Sequence, residues 1–311
     1  MPVLKDAYLE VNGVRLHTVS AGDGPLMLFL HGFPEFWYAW KNQLLEFGRD
    51  HLAVAPDMRG YNLSAKPTDL EAYRARVLVE DVRALADHFS PQRKFILVAH
   101  DWGGAIAWAF AIRYPELLER LVIVNAPHPA IFAKLLTESA QQQQASRYMT
   151  WFRRPDAEAR LSADCFAQLV NTVLRDGLKN GAFTEEDKSA YLQAWSRPGA
   201  LTGGLNYYRA NQFETPAGGV GLDDGKLTVN VPTLVIWGEC DTALILNNLD
   251  GLDQYVPQLT IRRVQGASHW IIHEKPDVVS GYIRDFLQAR NDRCECSEER
   301  QNIRDHTCPK G

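Results

Sequence analysis

The sequence predicts an α/β fold: a mostly parallel sheet covered by helices on both faces and interrupted once by a block of helices. Three observations lead there. Short, wholly apolar runs recur at Leu26–Leu30, Leu52–Ala55, Phe95–Ala99 and Leu121–Val124, and a strand without polar alternation is one buried on both faces, as in parallel sheets. Longer segments with helical apolar spacing lie between them, so strand and helix alternate. From Ala126 to about Pro216 the alternation lapses into helical segments alone, and it resumes at Val231. Residues 1–127 and 217–289 are therefore read as one core, 128–216 as an inserted cap, and 290–311 as a polar, disordered tail.

Taken in order, Tyr8–Val19 holds two alternating strands joined at Asn12-Gly13, a dipeptide that accepts the positive φ of a two-residue hairpin turn. The buried run Leu26–Leu30 ends at His31-Gly32-Phe33-Pro34-Glu35. An amphipathic segment follows over Trp40–Phe47, then the strand Leu52–Ala55. The spacing of Val77, Leu78, Val82, Leu85, Ala86 and Phe89 predicts a helix over Tyr73–Phe89. Within the block, helices are expected over Phe132–Met149, Phe166–Leu178 and Glu185–Trp195, with Pro155, Gly181, Pro198 and Gly203-Gly204 as breaks. Strands Val231–Trp237 and Leu259–Val264 and a helix from Pro276 to about Leu287 close the core.

Composition narrows the class. The chain of 311 residues is 46% hydrophobic and 23% charged with a formal net charge of −5, which offers no basic field for nucleic acid or an anionic membrane. Lys5 and Asp6 interrupt the apolar stretch that a secretory signal needs, and no apolar run approaches the roughly 20 residues that span a bilayer, so a cytoplasmic protein is expected. Of five cysteines, Cys165 and Cys240 stand alone while Cys294, Cys296 and Cys308 crowd the tail; that odd, uneven count fits a reducing compartment. Cys294, Cys296, His306 and Cys308 match no common tetrahedral zinc spacing. Neither metal nor cofactor is implied, and monomer and homodimer both stay open.

The chemistry gathers at Phe95-Ile-Leu-Val-Ala-His100-Asp101-Trp102-Gly103-Gly104. A buried strand stops at a candidate nucleophile flanked by small residues, and a helix begins at once, the strand-turn-helix pattern of a nucleophile elbow with aspartate in place of serine. Asp101 alone reads equally as a helix N-cap. Asp241 and His269 follow later strands, however, and the order nucleophile, acid, histidine suits an open α/β sheet, whose sites lie beyond the carboxyl ends of the strands. A carboxylate, with an ordinary pKa of about 3.9, needs no deprotonation before it attacks. An sp³ carbon bearing a leaving group suits it, and the resulting ester needs water activated by His269 with Asp241 orienting the ring. The backbone N–H groups of Phe33 and Trp102 are placed to receive the negative charge of ester hydrolysis.

His31-Gly-Phe-Pro-Glu35, Asp57-Met-Arg-Gly-Tyr61, His100-Asp-Trp-Gly-Gly104 and Asn125-Ala-Pro-His-Pro129 resemble four successive motifs of the α/β-hydrolase epoxide hydrolases. The resemblance covers roughly residues 8 to 289. It implies Asp101 as nucleophile, His269 as base, Asp241 as its partner and Glu35 as a helper in positioning water. It also implies a pair of cap tyrosines that hold the epoxide oxygen. Gly203-Gly-Leu-Asn-Tyr-Tyr208 matches one, with Tyr208 as the acid; the other motif falls at Tyr148-Met-Thr-Trp151, with Trp151 in the tyrosine's place. Tyr148 or Tyr207 supplies the second phenol if the register differs. An indole N–H donates a hydrogen bond but no usable proton, so Trp151 also fits a leaving halide. The substrate is thus a small apolar epoxide or a halogenated compound. The expected activity is epoxide hydrolysis to a diol, the alternative a hydrolytic dehalogenase similar to haloacetate or haloalkane enzymes. A non-catalytic ligand-binding protein on the same scaffold is the third reading.

Overall fold

The computed structural model describes residues 2–211 and 227–289. Strands β1 (Lys5–Val11) and β2 (Val14–Ala21) form the hairpin, with Asn12 at φ 47° and Gly13 at φ 74°. The buried runs become β3 (Leu26–Leu30), β4 (Leu52–Pro56), β5 (Phe95–His100) and β6 (Leu118–Val124), and β7 (Thr233–Gly238) and β8 (Leu259–Val264) follow the inserted helices. Among the described residues these make one eight-stranded sheet in the order β1-β2-β4-β3-β5-β6-β7-β8. The pairs β1–β2 and β2–β4 are antiparallel and the rest parallel. The chain grows one way from β3 to β4 and the other way from β3 to β5. Loops leaving the carboxyl ends of β3 and β5 therefore part there and open a crevice.

Period-two alternation survives inside the apolar strands. Leu28, Leu30, Leu97 and Ala99 enter one core cluster with α2 (Ala75–Phe89) and α3 (Asp101–Arg113), while Met27, Phe29, Ile96 and Val98 enter another with α1 (Lys41–Phe47) and the final helix Pro276–Gln288. Both faces are dry. That is why the sequence shows continuous apolar runs instead of alternation.

Between β6 and β7 lie α4 (Pro129–Glu138), α5 (Ala140–Ala145), α6 (Arg147–Phe152), α7 (Ala157–Leu169), α8 (Arg175–Asn180), α9 (Glu185–Ser196) and α10 (Ala200–Ala210). The single helix expected over Phe132–Met149 is three. The breaks fall at Ser139, whose side chain caps the Gln142 N–H, and at Ser146; the buried Gln142 amide donates to Ser146 Oγ and Ala243 O and accepts from Ile245 N–H and Asn248, tying the insertion to the loop after β7. The helix expected over Phe166–Leu178 is present, as the end of α7, a π-helical turn and α8, and a kink precedes it. Ala163 is extended, Asp164, Cys165 and Phe166 are left-handed, and a π-helical turn spans Val170–Leu174.

Gly203-Gly204 does not punctuate the chain but lies inside α10. A Cβ on Gly203 would overlap the Gly60 backbone, and one on Gly204 the Phe33 ring. Two glycines weaken a helix by about 1 kcal/mol each. Here they let α10 rest directly on the core loops, so that Tyr207 donates to Arg59 O at 2.9 Å. The expected core boundary at 216 and 217 and the tail cysteines lie outside the described residues. No helix among the described residues is long and apolar enough to cross a membrane.

Candidate active site

β5 ends at His100 and α3 starts at the next residue, which leaves Asp101 at φ 51°. A non-glycine residue held there costs about 1–3 kcal/mol, a strain typical of functional sites. The turn closes because its neighbours are small. A Cβ on Gly32 would overlap the Asp101 carboxylate, and one on Gly103 the carbonyls of Leu30 and His31. Phe33 N–H thereby donates to Asp101 Oδ1 at 2.7 Å. Burial would raise the Asp101 carboxyl, but the hydrogen bond and charge of His269, the charge of His100 and the Phe33 N–H hold it below the ordinary value.

Asp241 sits just past β7, with Oδ1 accepting from Ala243 and Leu244 N–H at 2.8 and 2.9 Å. Its Oδ2 meets His269 Nδ1 at 2.7 Å and accepts from Asn125 at 2.6 Å. Asn125, at the end of β6, is fixed in turn by Gly238 N–H at 2.9 Å. His269 Nε2 lies 3.6 Å from Asp101 Oδ2. Burial disfavours the imidazolium, yet the charge of Asp241 and the contacts with both aspartates raise the His269 pKa well above its usual value. Asp101, Asp241 and His269 come together as expected from their places after β5, β7 and β8.

Glu35 lies elsewhere than a substrate-contacting helper would. It is fully buried behind His269, with His100 Nδ1 at 3.2 Å from Oε2 and His273 Nε2 at 2.5 Å from Oε1. Tyr191 donates to the same Oε1 at 2.9 Å. Neither oxygen borders the cavity described next.

A cavity of about 540 Å³ opens over Asp101 and His269, walled by Phe33, Trp151, Phe152 and Trp270. A second of about 40 Å³ adjoins Asp101 on the side of Phe132, Met149 and Leu244. Tyr148 and Tyr208 border both, their ring centroids 6.1 Å apart. The register of the insertion thus differs from the one read in the sequence: Tyr148, not Trp151, pairs with Tyr208 beside Asp101. Tyr148 lies in the first turn of α6, where it borders both cavities beside Asp101, and Trp151, one turn on, lies in the wall of the larger cavity alone. Tyr207 points away, to Arg59 O. Burial first, then the charge of Asp101, raises the pKa of both Tyr148 and Tyr208, while the Trp102 hydrogen bond partly offsets this for Tyr208. Both phenols hold their protons throughout the neutral range.

A family model described as the alpha/beta hydrolase fold matches residues 25–276. A Caenorhabditis elegans protein named Epoxide hydrolase 1 is 38% identical over 90% of this chain and 69% of its own. The chain belongs to the epoxide hydrolases of the α/β-hydrolase fold. A second member, a Bacillus megaterium epoxide hydrolase whose crystal structure is that of a point mutant, superposes with a TM-score of 0.86 at 40% identity, covering 91% of this chain and 100% of that one. The AB hydrolase superfamily protein YfhM of Bacillus subtilis is 39% identical over 93% of this chain and 99% of its own. This epoxide hydrolase also contains site residues that sequence reasoning passed over. Asn125 carried a signal, a polar residue closing a buried strand within one of the quoted motifs, but was given no role; His273, four residues beyond His269, and Tyr191, distant from any motif, carried none.

Proposed function

We propose that this hydrolase opens an epoxide through a covalent ester on Asp101 and releases a vicinal diol. The single observation that carries the reading is two protonated phenols, Tyr148 and Tyr208, bordering the cavity at the very carboxylate that His269 faces. Ring opening needs a nucleophile below the carbon and a proton for the oxygen that leaves it, and the two phenols bordering the cavity beside Asp101 are the groups that supply it. The carbon–halogen alternative rested on an indole as the second donor; Tyr148 removes that ground. The aromatic walls of the larger cavity favour an epoxide with an apolar substituent.

The steps follow from the charges. Asp101 attacks a ring carbon, the C–O bond breaks, and Tyr208 or Tyr148 protonates the alkoxide. Esterification removes the Asp101 charge, one of the two that sustain the His269 imidazolium. His269 then yields its proton to restore the phenol and becomes a base. It next takes a proton from water, whose oxygen attacks the ester carbonyl, with Phe33 and Trp102 N–H stabilising the oxyanion. The tetrahedral intermediate collapses by breaking the bond to the diol oxygen, which takes the second proton of the water, so that Asp101 is left as carboxylate, the diol departs and His269 is again protonated. Asp241, with Asn125 behind it, holds the ring tautomer throughout. Replacing His269 with glutamine stops the second half. Intact-mass analysis of His269→Gln after exposure to a styrene-oxide-like epoxide is expected to show one adduct, mapped to the peptide with Asp101; a diol formed with no adduct would overturn the reading.

A further inference from the structure

The Glu35 carboxylate joins four parts of the molecule. It rises from the loop after β3, and its Oε2 meets His100 Nδ1 at 3.2 Å. The other ring nitrogen of His100, Nε2, lies 2.9 Å from the backbone oxygen of His269. Both nitrogens of His100 thus face oxygen atoms, one on the loop after β3 and one on the turn that carries His269. On its other oxygen Glu35 binds His273, four residues beyond His269 on the short helix Ile271–Glu274, at 2.5 Å. One carboxylate therefore grips the turn that carries His269 at both ends. The third ligand comes from the inserted helices: Tyr191 on α9 donates to Oε1 at 2.9 Å and lies 3.4 Å from His273 Nε2. Glu35, His100 and Tyr191 are wholly buried and His273 nearly so, where each hydrogen bond to the charge counts for more than it would in water.

We infer that Tyr191 is a positioning residue for His269, coupling the seating of the inserted helices to the hydrolysis half of the reaction. It touches no reacting atom. Its hydroxyl holds the carboxylate that holds the His269 turn, and loosening that turn harms the step in which His269 must aim water at the ester. Attack by Asp101 does not use His269 as a base, so it is spared. The inference rests on the two-step reading above, and its test separates the two.

The experiment follows ester formation and decay by rapid quench and intact mass with a styrene-oxide-like epoxide. Tyr191→Phe, which deletes one hydroxyl, is expected to slow ester decay about 5- to 20-fold, a fraction of the roughly 10- to 150-fold of a lost hydrogen bond to a buried charge because Tyr191 acts on His269 only through Glu35, while ester formation stays within about twofold. The bound ester then accumulates. Trp195 supplies a matched comparison, because it lies on the same helix and donates to Pro34 O of the same loop at 2.6 Å without touching Glu35. Trp195→Phe is expected to leave the ratio of the two rates unchanged. His273→Phe removes the other donor to Oε1 and carries the same expectation as Tyr191→Phe, should that variant not fold; the two together slow decay less than the product of their separate effects. Parallel loss of both rates in Tyr191→Phe, or a profile equal to that of Trp195→Phe, overturns the inference. A wild-type enzyme that makes diol with no ester would instead defeat the two-step reading itself.

Discussion

Tyr148→Phe tests the register of the inserted helices, the point at which structure and sequence part. The substitution keeps the ring, and with it the packing against Phe152 at 5.5 Å and Tyr208 at 6.1 Å. It deletes one of two donors to the oxygen that becomes an alkoxide. A hydrogen bond to developing charge in a buried site is worth about 1.5–3 kcal/mol, and at about 1.4 kcal/mol per decade that is a loss of about 10- to 150-fold in ester formation. The loss appears in kcat/KM for an epoxide, with ester decay little changed, since the phenol acts before water does. Trp151→Phe removes the indole N–H from the wall of the same cavity and is expected to stay within about threefold. The assay is steady-state diol formation alongside a burst measurement of the ester. Were Trp151→Phe to lose tenfold or more in kcat/KM while Tyr148→Phe held its rate, the paired-phenol geometry would be refuted.

Two further outcomes concern the scaffold. Gly203→Ala places a methyl against the Gly60 backbone; overpacking costs roughly 1–3 kcal/mol and the gain in helix propensity returns about 1, a net loss of about 0–2 kcal/mol, so calorimetry is expected to show a melting temperature lower by up to about 6 °C, and a higher value would contradict the contact. His17 bridges Asp57 at 2.7 Å and Asp6 at 3.0 Å. Burial lowers its pKa, but the two carboxylates outweigh burial and raise it above its usual 6.5. The folded state therefore binds that proton more tightly than the unfolded chain, and the resulting stability is complete below about pH 6.5 and lost as pH climbs through the folded-state pKa. In urea titrations the stability advantage of wild type over Asp6→Asn is expected to shrink between pH 6 and 8.5; an advantage that grows with pH would contradict the sign.

The parts of this enzyme that the sequence disclosed are those governed by local rules. The doubly buried strands β3 and β5 have to be apolar at every position, and the Asn12-Gly13 turn needs positive φ. Asp101, Asp241 and His269 occupy strand ends where sites in such sheets lie, so their chain positions alone brought them together. The inserted helices obey distant partners instead. Gln142 looked like part of a polar run, yet its bonds to Ala243, Ile245 and Asn248 span about a hundred residues of chain, and periodicity cannot choose between Tyr148 and Trp151, two aromatic residues three positions apart. Gly203-Gly204 read as a break because the backbone they must accommodate, at Gly60, is more than a hundred residues away. Glu35 showed its motif but not its ligands, which come from β5, α9 and the turn after His269.

The covalent ester is most directly tested by one turnover in heavy-oxygen water with enzyme in excess over epoxide. If Asp101 supplies the oxygen that enters the product, the first diol carries no label and the peptide containing Asp101 gains it. Label in that first diol, with none in the peptide, would mean that water attacks the epoxide directly and that Asp101 never bonds to carbon.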